Sequence, residues 1–471
     1  MHTSLYWFSN DLRLADNPAL THVMSQSEQL AFLYVVDPAW FTSRNYHHRL
    51  VGERRYAFIL ESLLDIEQQL ASKGHRLYVV EGDPLVEIPQ LVDRNNIDLI
   101  GGAKQSGWFE SALWQQLHER LPQQTVAVQW NNYLYPSEPW RSLDTMAANN
   151  TAAGTNQLPK PLKSFTSFRH YIENNAINPE PDLVDWPADS PAPLSLQGDF
   201  SSAGELYAKL QSGATAAGKP PITMATFNAG ERGGQAHLND YFNSAAPSTY
   251  KQTRNALDDW QASTKFSPYL ANGNMSARQI WAAVEQYESK VVKNEDTYWI
   301  KFELLWREYF HWLAQRQGVG LFQFQGMAKT APLTSYFSER FKKWCAGNTP
   351  YPLVNACMKQ LNATGYMSNR GRQLVASCLV NELAVDWRYG AAYFQQQLID
   401  HDVASNWGNW QYLAGVGVDP RGGRSFNLTK QTQIYDPNGD FIRKWKGQVS
   451  EQSLDSWDAV GWPIEATAAL K

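Results

Sequence analysis

The sequence predicts two units of different class, an N-terminal α/β domain and a C-terminal all-helical domain. Short apolar runs alternate with amphipathic segments over the first part of the chain, which is typical of a parallel sheet covered by helices. Beyond Gln235 the strand signals vanish and helical spacing dominates, for instance over residues 298–315 and 371–386. At 471 residues the chain is also too long for one ordinary hydrophobic core.

The predicted strands of the first domain are rich in Val, Leu, Tyr and Trp, and helical spacing over 49–73 and 107–121 separates some of them. This alternation predicts a Rossmann-like parallel sheet with helices on both faces. No G-x-G-x-x-G follows the first strand and no Walker-type loop occurs, so a dinucleotide dehydrogenase and a P-loop ATPase are disfavoured. The strands are expected at residues 5–8, 30–36, 76–80, 98–102 and 126–130.

We place the α/β domain at residues 1–135, a linker at 136–225 and the helical domain at 226–471. The linker is rich in Pro, Ser, Ala, Asn and Gly, a composition that favours loops. One helix is predicted within it, near residues 165–174.

The composition predicts a soluble globular protein, with 43% hydrophobic and 18% charged residues. No apolar run approaches the ~20 residues that cross a bilayer, and the first residues lack the features of a signal peptide. The cysteines, Cys345, Cys357 and Cys378, are odd in number and lack metal-ligand spacing. We therefore expect reduced core thiols, no metal site and a cytoplasmic location.

Charge is distributed unevenly along a chain whose net charge is −5. Residues 1–249 hold 17 Lys and Arg against 26 Asp and Glu, whereas residues 250–446 hold 23 against 16. A basic stretch in an acidic chain is what a local phosphate-binding face needs. The alternative is a scatter of solvated charges.

Several segments of the helical half carry a specific pattern of aromatic, amide and charged residues. They are 250–254 (YKQTR), 263–270 (STKFSPYL), 302–310 (FELLWREYF), 365–373 (GYMSNRGRQ), 386–388 (DWR), 400–412 and 436–445 (DPNGDFIRKW). In this order and spacing, and together with WFSNDLR at 7–13, they resemble the photolyase and cryptochrome family over nearly the whole chain. The resemblance implies an FAD cofactor, DNA that contains pyrimidine dimers as the partner, and a light-driven lyase activity.

The resemblance assigns one set of residues to FAD. Donors near Thr264 suit a pyrophosphate, although an ordinary helix cap before Pro268 is the alternative. Asn406 stands where the family has the residue facing flavin N5, and an amide there can bond a protonated N5 without adding negative charge. Arg372 and Asp400 resemble the ion pair over the flavin ring, with a structural salt bridge as the alternative. The full set is Tyr250, Ser263, Thr264, Lys265, Phe266, Ser267, Arg307, Arg372, Asp400, Asp402 and Asn406.

Glu303 is the residue we expect to act on the substrate. Its neighbours Phe302 and Leu304 predict partly apolar surroundings, which favour the protonated carboxyl. Such a group can donate a hydrogen bond to a thymine carbonyl as negative charge develops there. A surface glutamate is the alternative. The other substrate or DNA-binding residues that the resemblance implies are Arg254, Trp306, Asn369, Arg370, Gln373 and Tyr412.

Two residues make the resemblance closest to the DASH branch. Gln373 stands where double-strand photolyases usually have Met, and Tyr412 stands where they usually have Trp. Both residues replace apolar or stacking area by polarity. Less burial energy is then available to pull a dimer from a duplex, so a preference for single-stranded or looped DNA is expected.

The route of electrons to the flavin is the least regular part of the pattern. Trp410 and Trp387 stand where the family has the inner two tryptophans of its relay. The outer position falls on Thr334, so Tyr336 or another aromatic residue is needed as the exit.

Many relatives hold methenyltetrahydrofolate as an antenna between the two domains. Glu110 is the nearest match to the acidic residue that contacts it, but Trp108 and Phe109 match poorly. A surface glutamate is the alternative reading of Glu110.

Two rival functions stay open. The first is a blue-light photoreceptor that signals through nucleic acid or a protein partner without repair, and the retained repair residues count against it. The second is repair of (6–4) photoproducts, which would need a pair of histidines, whereas His311 is the only histidine near the substrate helix. The leading expectation is repair of cyclobutane dimers by a monomeric enzyme.

Overall fold

The computed structural model describes residues 2–43, 45–139, 160–179, 186–187, 189–218, 220–222, 227–418, 423–449 and 454. Parts of the predicted linker and the last residues of the predicted helical domain lie outside these ranges. Among the described residues, no helix combines the length and the apolar character that crossing a membrane requires.

The first domain is built on one parallel sheet. Its strands follow the order β3-β2-β1-β4-β5, with the short β6 beside β2, and every pairing is parallel. The strand order reverses between β1 and β4, as in doubly wound sheets, which confirms the predicted class. The strands are β1 His2–Phe8, β2 Ser27–Val36, β3 Leu77–Glu81, β4 Leu99–Lys104, β5 Thr125–Trp130 and β6 Ala192–Pro193.

Helices cover both faces of this sheet. Along β1, Tyr6 and Phe8 join the core with residues of α1 and α2, whereas Leu5 and Trp7 join the core with residues of α3 and α4. This alternation follows the pleat of the strand. The four helices are α1 Pro18–Met24, α2 Glu53–Ser72, α3 Pro84–Asn95 and α4 Trp108–Arg120.

The second half of the chain is helical, as predicted. From residue 227 onward the described residues form helices and loops, apart from one isolated bridge between Ser335 and Val385. Many of its buried residues belong to one large apolar core. The helices are α7 Gly230–Phe242, α8 Tyr250–Thr253, α9 Ser267–Asn272, α10 Ala277–Lys290, α11 Glu295–Gln317, α12 Ser338–Ala346, α13 Pro352–Thr364, α14 Asn369–Ser377, α15 Trp387–Gln397, α16 Val403–Leu413, α17 Leu428–Tyr435 and α18 Asp440–Lys444.

The segment predicted as a linker contains two helices. One is α5 (Phe165–Asn174), at the predicted position. The other, α6 (Ala203–Ala216), was not predicted, although Ser202 and Glu205 form a capping box at its start. Helix α6 packs on α2, where the Tyr207 hydroxyl donates to Glu61 at 2.8 Å.

The helix predicted over residues 371–386 is shorter than expected. Helix α14 ends at Ser377 and continues as a π-helical turn over Cys378–Glu382. Ala384 then takes a left-handed φ of 53°, which ends the helical path before α15. The three cysteines are free, and Cys357 and Cys378 are buried.

Two buried arginines join the domains. Arg13 donates to the carbonyl oxygens of Asp16 and Gly273, at 2.9 and 3.0 Å. Arg278, at the start of α10, forms an ion pair with Asp16 at 3.1 Å and donates to the Tyr133 carbonyl at 2.5 Å. All these contacts lie between the carboxyl end of β1, the end of β5 and the α9–α10 turn. We call Arg13, Asp16 and Arg278 the inter-domain cluster.

Gly273 allows the close approach on which this cluster depends. Its φ is +71°, and a Cβ at this position would overlap the backbone of Asn10 and Asp11. Only glycine combines this backbone conformation with the space that is available. Leu12 N also donates to Asn272 O at 3.1 Å, so the two backbones meet directly here.

We expect Gly273→Ala to lower the melting temperature far more than Gly74→Ala does. Both glycines have positive φ, but nothing lies within 4 Å of a Cβ at Gly74. The control carries only the left-handed strain of about 1 kcal/mol, whereas Gly273→Ala adds a clash between domains. Thermal unfolding measures both variants. Equal losses for the two would contradict the importance of this contact.

Candidate functional site

A cavity of about 510 Å³, here called the main cavity, lies within the helical domain. This volume is typical of small-molecule sites. Helices α8, α11, α14 and α16 contribute to its walls, together with the 263–266 loop that precedes α9. Every predicted cofactor and substrate residue lines it: Tyr250, Arg254, Ser263, Thr264, Lys265, Phe266, Ser267, Glu303, Trp306, Arg307, Asn369, Arg370, Arg372, Gln373, Asp400, Asp402, Asn406, Trp410 and Tyr412. Glu110 and Trp387 do not line it.

The loop before α9 presents a row of hydroxyl and ammonium donors. Lys265 has a left-handed φ of 52°, and its Nζ donates to Asp259 O at 3.0 Å and Ser263 Oγ at 2.6 Å. Burial lowers the pKa of Lys265 to about 8. Ser267 does not cap α9, because its Oγ donates to Asp400 Oδ2 at 2.6 Å. The helix-cap alternative therefore does not describe Ser267.

Arg372 and Asp400 form a buried ion pair on the wall of the cavity. Arg372 Nη2 lies 2.7 Å from Asp400 Oδ2, and the Asp400 side chain is completely buried. Burial alone would lower the pKa of Arg372, but the charge of Asp400 raises it. The second carboxylate oxygen, Asp400 Oδ1, is buried without a hydrogen-bond partner among the described residues. Such an atom is costly unless a ligand satisfies it.

The start of α16 places an amide and a carboxylate beside each other. Asp402 caps the helix by accepting from Ser405 N at 2.7 Å, and it also accepts from His311 Nε2 at 3.0 Å. Burial alone would raise the pKa of Asp402, but the charge and hydrogen bond of His311 hold it well below its usual range. Asn406 Nδ2 donates to Ala391 O at 2.9 Å. Its Oδ1 is therefore the amide atom that remains to accept from a ligand.

Glu303 of α11 and Arg254, which follows α8, form an ion pair on the wall of the main cavity. Burial raises the pKa of Glu303, and the charge of Arg254 offsets part of this rise. The predicted direction of the shift is therefore present in the structure. Arg254 also lies over the ring of Trp299, with its Cζ 5.4 Å from the ring centroid. Only part of the Arg254 guanidinium group forms hydrogen bonds, since its Nε is buried without a partner among the described residues.

Trp306 is held between aromatic rings. Phe165, the first residue of α5, stacks on it with ring centroids 3.7 Å apart and an interplanar angle of 10°. Tyr412 meets it edge-on at 6.0 Å, and Arg424 lies over the Tyr412 ring at 4.7 Å. These contacts fix the orientation of two flat rings that line the main cavity.

Basic and amide groups of α14 complete the cavity. Arg370 Nη2 donates to Asn255 Oδ1 at 3.2 Å, and its guanidinium lies 5.0 Å from the Tyr435 ring centroid. Asn369 and Gln373 lie within one turn of it on the same helix. This set can bind the phosphates and the base edges of a nucleic acid.

Trp410 and Trp387 occupy different environments. The Trp410 ring packs against α15, where a Cβ on Gly390 would meet it. Trp387 is fully buried one turn earlier on α15, and its Nε1 donates to Phe324 O at 3.0 Å. Its ring packs against that of Trp407, with centroids 5.8 Å apart.

Glu110 lies in the first turn of α4 and is only partly exposed. Burial raises its pKa, and the charge of Arg55 opposes the rise. Its neighbours Trp108 and Phe109 are exposed. Glu110 therefore lies near Arg55 of the same domain and near Asp402 of the helical domain, whose charge also acts on it.

The sequence analysis missed three residues of this region. Phe165 lies at the start of the predicted linker helix, and its aromatic ring beside Ser164 was the available signal. His401 lines the main cavity with both ring nitrogens buried and unpartnered among the described residues, and it lies inside the assigned segment 400–412. Arg424 belongs to the basic stretch but to no assigned motif.

Comparisons with known proteins agree with this geometry. Residues 4–187 match the family profile described as DNA photolyase, and residues 299–465 match the one described as FAD binding domain of DNA photolyase. Cryptochrome DASH of Idiomarina loihiensis is 45% identical over 98% of this chain and 96% of its own length. Cryptochrome DASH of Vibrio parahaemolyticus is 43% identical, over 98% and 97% respectively. The Synechocystis cryptochrome structure has a TM-score of 0.83 at 35% identity and covers 94% of this chain and 88% of its own.

The residues of the main cavity fit FAD. A flavin dinucleotide carries a pyrophosphate, ring carbonyls and ring N–H groups. The donors of residues 263–265, the Asn406 amide oxygen and the unpartnered Asp400 Oδ1 and His401 nitrogens match these groups in kind. The aromatic walls suit its flat rings.

We expect Asp400→Asn to lower the amount of FAD that purifies with the protein. The substitution leaves Arg372 as a buried charge without its carboxylate, a change that costs several kcal/mol in comparable pairs. The ratio of flavin absorbance to protein absorbance measures retention. Asp386→Asn is the matched control, because Asp386 also pairs with an arginine, Arg388 at 2.8 Å, but does not line the main cavity. Equal retention in both variants would contradict a role for Asp400 in cofactor binding.

Proposed function

The chain belongs to the photolyase and cryptochrome family and to its DASH group, and we propose that it reverses cyclobutane pyrimidine dimers in single-stranded or looped DNA under blue light. Membership supports an FAD-binding protein with a light-dependent function related to DNA. The observation that carries the finer proposal is the Glu303–Arg254 pair, which lines the same cavity as Asn406.

When bound, reduced FAD would supply one electron to the dimer under light and would take it back after the ring has opened. Asn406 serves this chemistry by offering a neutral acceptor, its Oδ1, where a carboxylate would add negative charge to an electron-rich ring. The Arg372–Asp400 pair holds the polar edge of the cofactor in one orientation. These groups position the cofactor without exchanging protons with it.

Glu303 acts on the base. Its raised pKa favours a carboxyl that donates a hydrogen bond to a thymine carbonyl, where negative charge develops after the electron arrives. Before the substrate binds, Arg254 pairs with the Glu303 carboxylate. Its remaining N–H groups donate hydrogen bonds to the dimer or its phosphate. Trp306 and Tyr412 stack on the flipped bases, with Phe165 behind Trp306 to keep the ring in place.

Polarity at two positions supports the preference for single strands. Gln373 and Tyr412 line the main cavity in place of larger apolar surfaces. A flipped dimer leaves an intact duplex only if contacts in the cavity offset unstacking, which costs a few kcal/mol. Single-stranded DNA and loops impose less of this cost.

A photoreceptor that signals without repair is the second candidate. It accounts for the flavin cavity but leaves the paired Glu303 and Arg254 without a function. The lyase proposal uses both residues.

We extend the proposal to a second chromophore and to the cellular setting. The region around Glu110 and Arg55 contains a polar atom that could bind a ligand, since Arg55 Nε is buried without a hydrogen-bond partner among the described residues. Methenyltetrahydrofolate is the antenna that we propose for it, in a monomeric protein of the cytoplasm. An absorption spectrum tests the antenna, since a near-ultraviolet band beyond the flavin bands would reveal the folate.

We expect Glu303→Ala to lower the repair rate by about tenfold to 150-fold, because a hydrogen bond to a charged group contributes roughly 1.5–3 kcal/mol. The measurement uses protein reduced beforehand, illuminated with oligo-dT that contains dimers, and follows restored thymines. Flavin content should not change. Glu295→Gln is the control, since Glu295 lies on the same helix as Glu303, pairs with Lys251 of α8 and does not line the main cavity.

The outcomes of this experiment separate the candidates. Absence of repair by the wild-type protein on single strands would remove the lyase proposal and favour the photoreceptor. Repair that survives in Glu303→Ala at the wild-type rate would remove the role of Glu303 alone.

We expect the double variant Gln373→Met, Tyr412→Trp to repair dimers in duplex DNA better than the wild type. Larger apolar area offsets unstacking at about 25 cal/mol per Å². The measured quantity is the ratio of duplex to single-strand repair rates, which should rise. An unchanged ratio would show that other residues set the preference.

A further inference from the structure

A second cavity, of about 610 Å³, lies outside the site described above. It is formed between the Tyr46–His48 loop of the N-terminal domain and helices α12, α13 and α15. Aromatic rings from Tyr393, Phe341 and Tyr336 line it. No function described so far uses this cavity.

Helix α15 separates the two cavities. Tyr393 lines the second cavity and the next residue, Phe394, lines the main cavity. Trp344 of α12 lies behind both, with its ring centroid 5.7 Å from Tyr393 and 6.1 Å from Phe394. Trp344 is also 6.2 Å from Trp410, on the wall of the main cavity. Two ring-to-ring steps therefore connect the second cavity to the flavin site.

Trp344 is suited to lie on such a path. It is fully buried, and its Nε1 donates to Val375 O at 2.9 Å, which fixes the ring. The other candidate path, through Trp387, continues to Trp407 at 5.8 Å, since its expected outer position holds Thr334. The rings of the second cavity also reach solvent, because Tyr336 is 39% exposed and lies 6.2 Å from Phe341.

The polar lining of the second cavity favours an anion. Lys342, His47 and His48 line it, and its lining includes no Asp or Glu among the described residues. The Tyr393 hydroxyl is hydrogen bonded to Asn362 Oδ1 at 2.5 Å. Lys342 supplies the positive charge at this rim, since burial lowers the pKa of His48, and a small anionic ligand therefore meets one ammonium group and an aromatic floor.

We propose that the second cavity binds a small anionic reductant of the enediolate class, and that Tyr393 and Trp344 conduct its electrons to Trp410. The proposal rests on the proposed function, because the main cavity must hold FAD. Under light, Trp410 gives one electron to the flavin. Trp344 then gives one electron to the oxidised Trp410, and Tyr393 gives one electron to the oxidised Trp344. The reductant returns one electron to Tyr393 and releases one proton to solvent, while one proton from solvent accompanies the electron to the flavin.

The first test measures the light-driven loss of oxidised-flavin absorbance with ascorbate as the probe. Trp344→Phe and Tyr393→Phe each remove an oxidisable ring and keep an aromatic one. Each should slow the loss about tenfold, which corresponds to about 1.4 kcal/mol in the barrier. Because the steps are in series, the double variant should be close to the slower single variant. Trp387→Phe is the comparison for the other path.

The second test addresses the binding of the probe in the dark. Calorimetric titration with ascorbate should show a Kd about threefold to fivefold higher for Lys342→Glu, since an exposed charge pair contributes up to about 1 kcal/mol. Lys290→Glu, an exposed lysine of α10 outside the second cavity, should bind like the wild type. Photoreduction with neutral dithiothreitol should be the same in both variants.

Two results would overturn the proposal. One is photoreduction at the wild-type rate in both Trp344→Phe and Tyr393→Phe while Trp387→Phe abolishes it. The other is ascorbate binding that Lys342→Glu leaves unchanged. Repair is also measured in each variant after reduction by dithionite in the dark. Absence of repair by the wild-type protein would count against the proposed function. Retained repair in a variant whose photoreduction is slower would show that the substitution affects the electron path alone.

Discussion

The inter-domain cluster is the constraint on which the functional site depends. Charged groups that leave water must be compensated almost completely, and Arg13 and Arg278 are compensated by Asp16 together with backbone carbonyls from both domains. The cluster fixes the turn between α9 and α10. Helix α9 begins at Ser267, which binds Asp400, and Asp400 binds Arg372. This chain of contacts connects the end of β1 to the wall of the main cavity, so the two are held in a fixed relative position.

The main cavity shows how one fold sets two carboxyl groups to opposite states. Asp402 is buried, yet His311 and Arg307 keep its pKa low, so it remains an acceptor. Glu303 keeps 33% of its side chain exposed, yet its pKa rises, because desolvation outweighs its single cationic partner Arg254. The difference lies in the number of favourable charges around each carboxylate, since the less exposed Asp402 has the lower pKa. The protein can thus hold an anion beside the cofactor and a proton donor beside the substrate.

Local pattern was sufficient to predict the sheet and the long helices, whereas the residues that line the main cavity were predicted from the resemblance of the assigned motifs to the photolyase and cryptochrome family. The strands alternate with amphipathic segments, and the assigned motifs are close in sequence to the turns that bring them together. What the sequence did not reveal depends on contacts between distant segments. The stacking of Phe165 on Trp306 joins residues far apart in the chain. The π-helical turn after α14 carries no local signal, and α6 was hidden by the composition around it.

The second cavity also could not be predicted from the sequence, because no motif lies in it. It is formed by packing of the Tyr46–His48 loop against helices α12, α13 and α15. Helix α15 separates the two cavities, so neighbouring residues of this helix must face in different directions. Consecutive residues of a helix point about 100° apart, and Tyr393 and Phe394 use this angle to face different compartments. A single residue inserted in α15 before Tyr393 would turn Tyr393 toward the main cavity, and a single deletion there would turn Phe394 toward the second cavity.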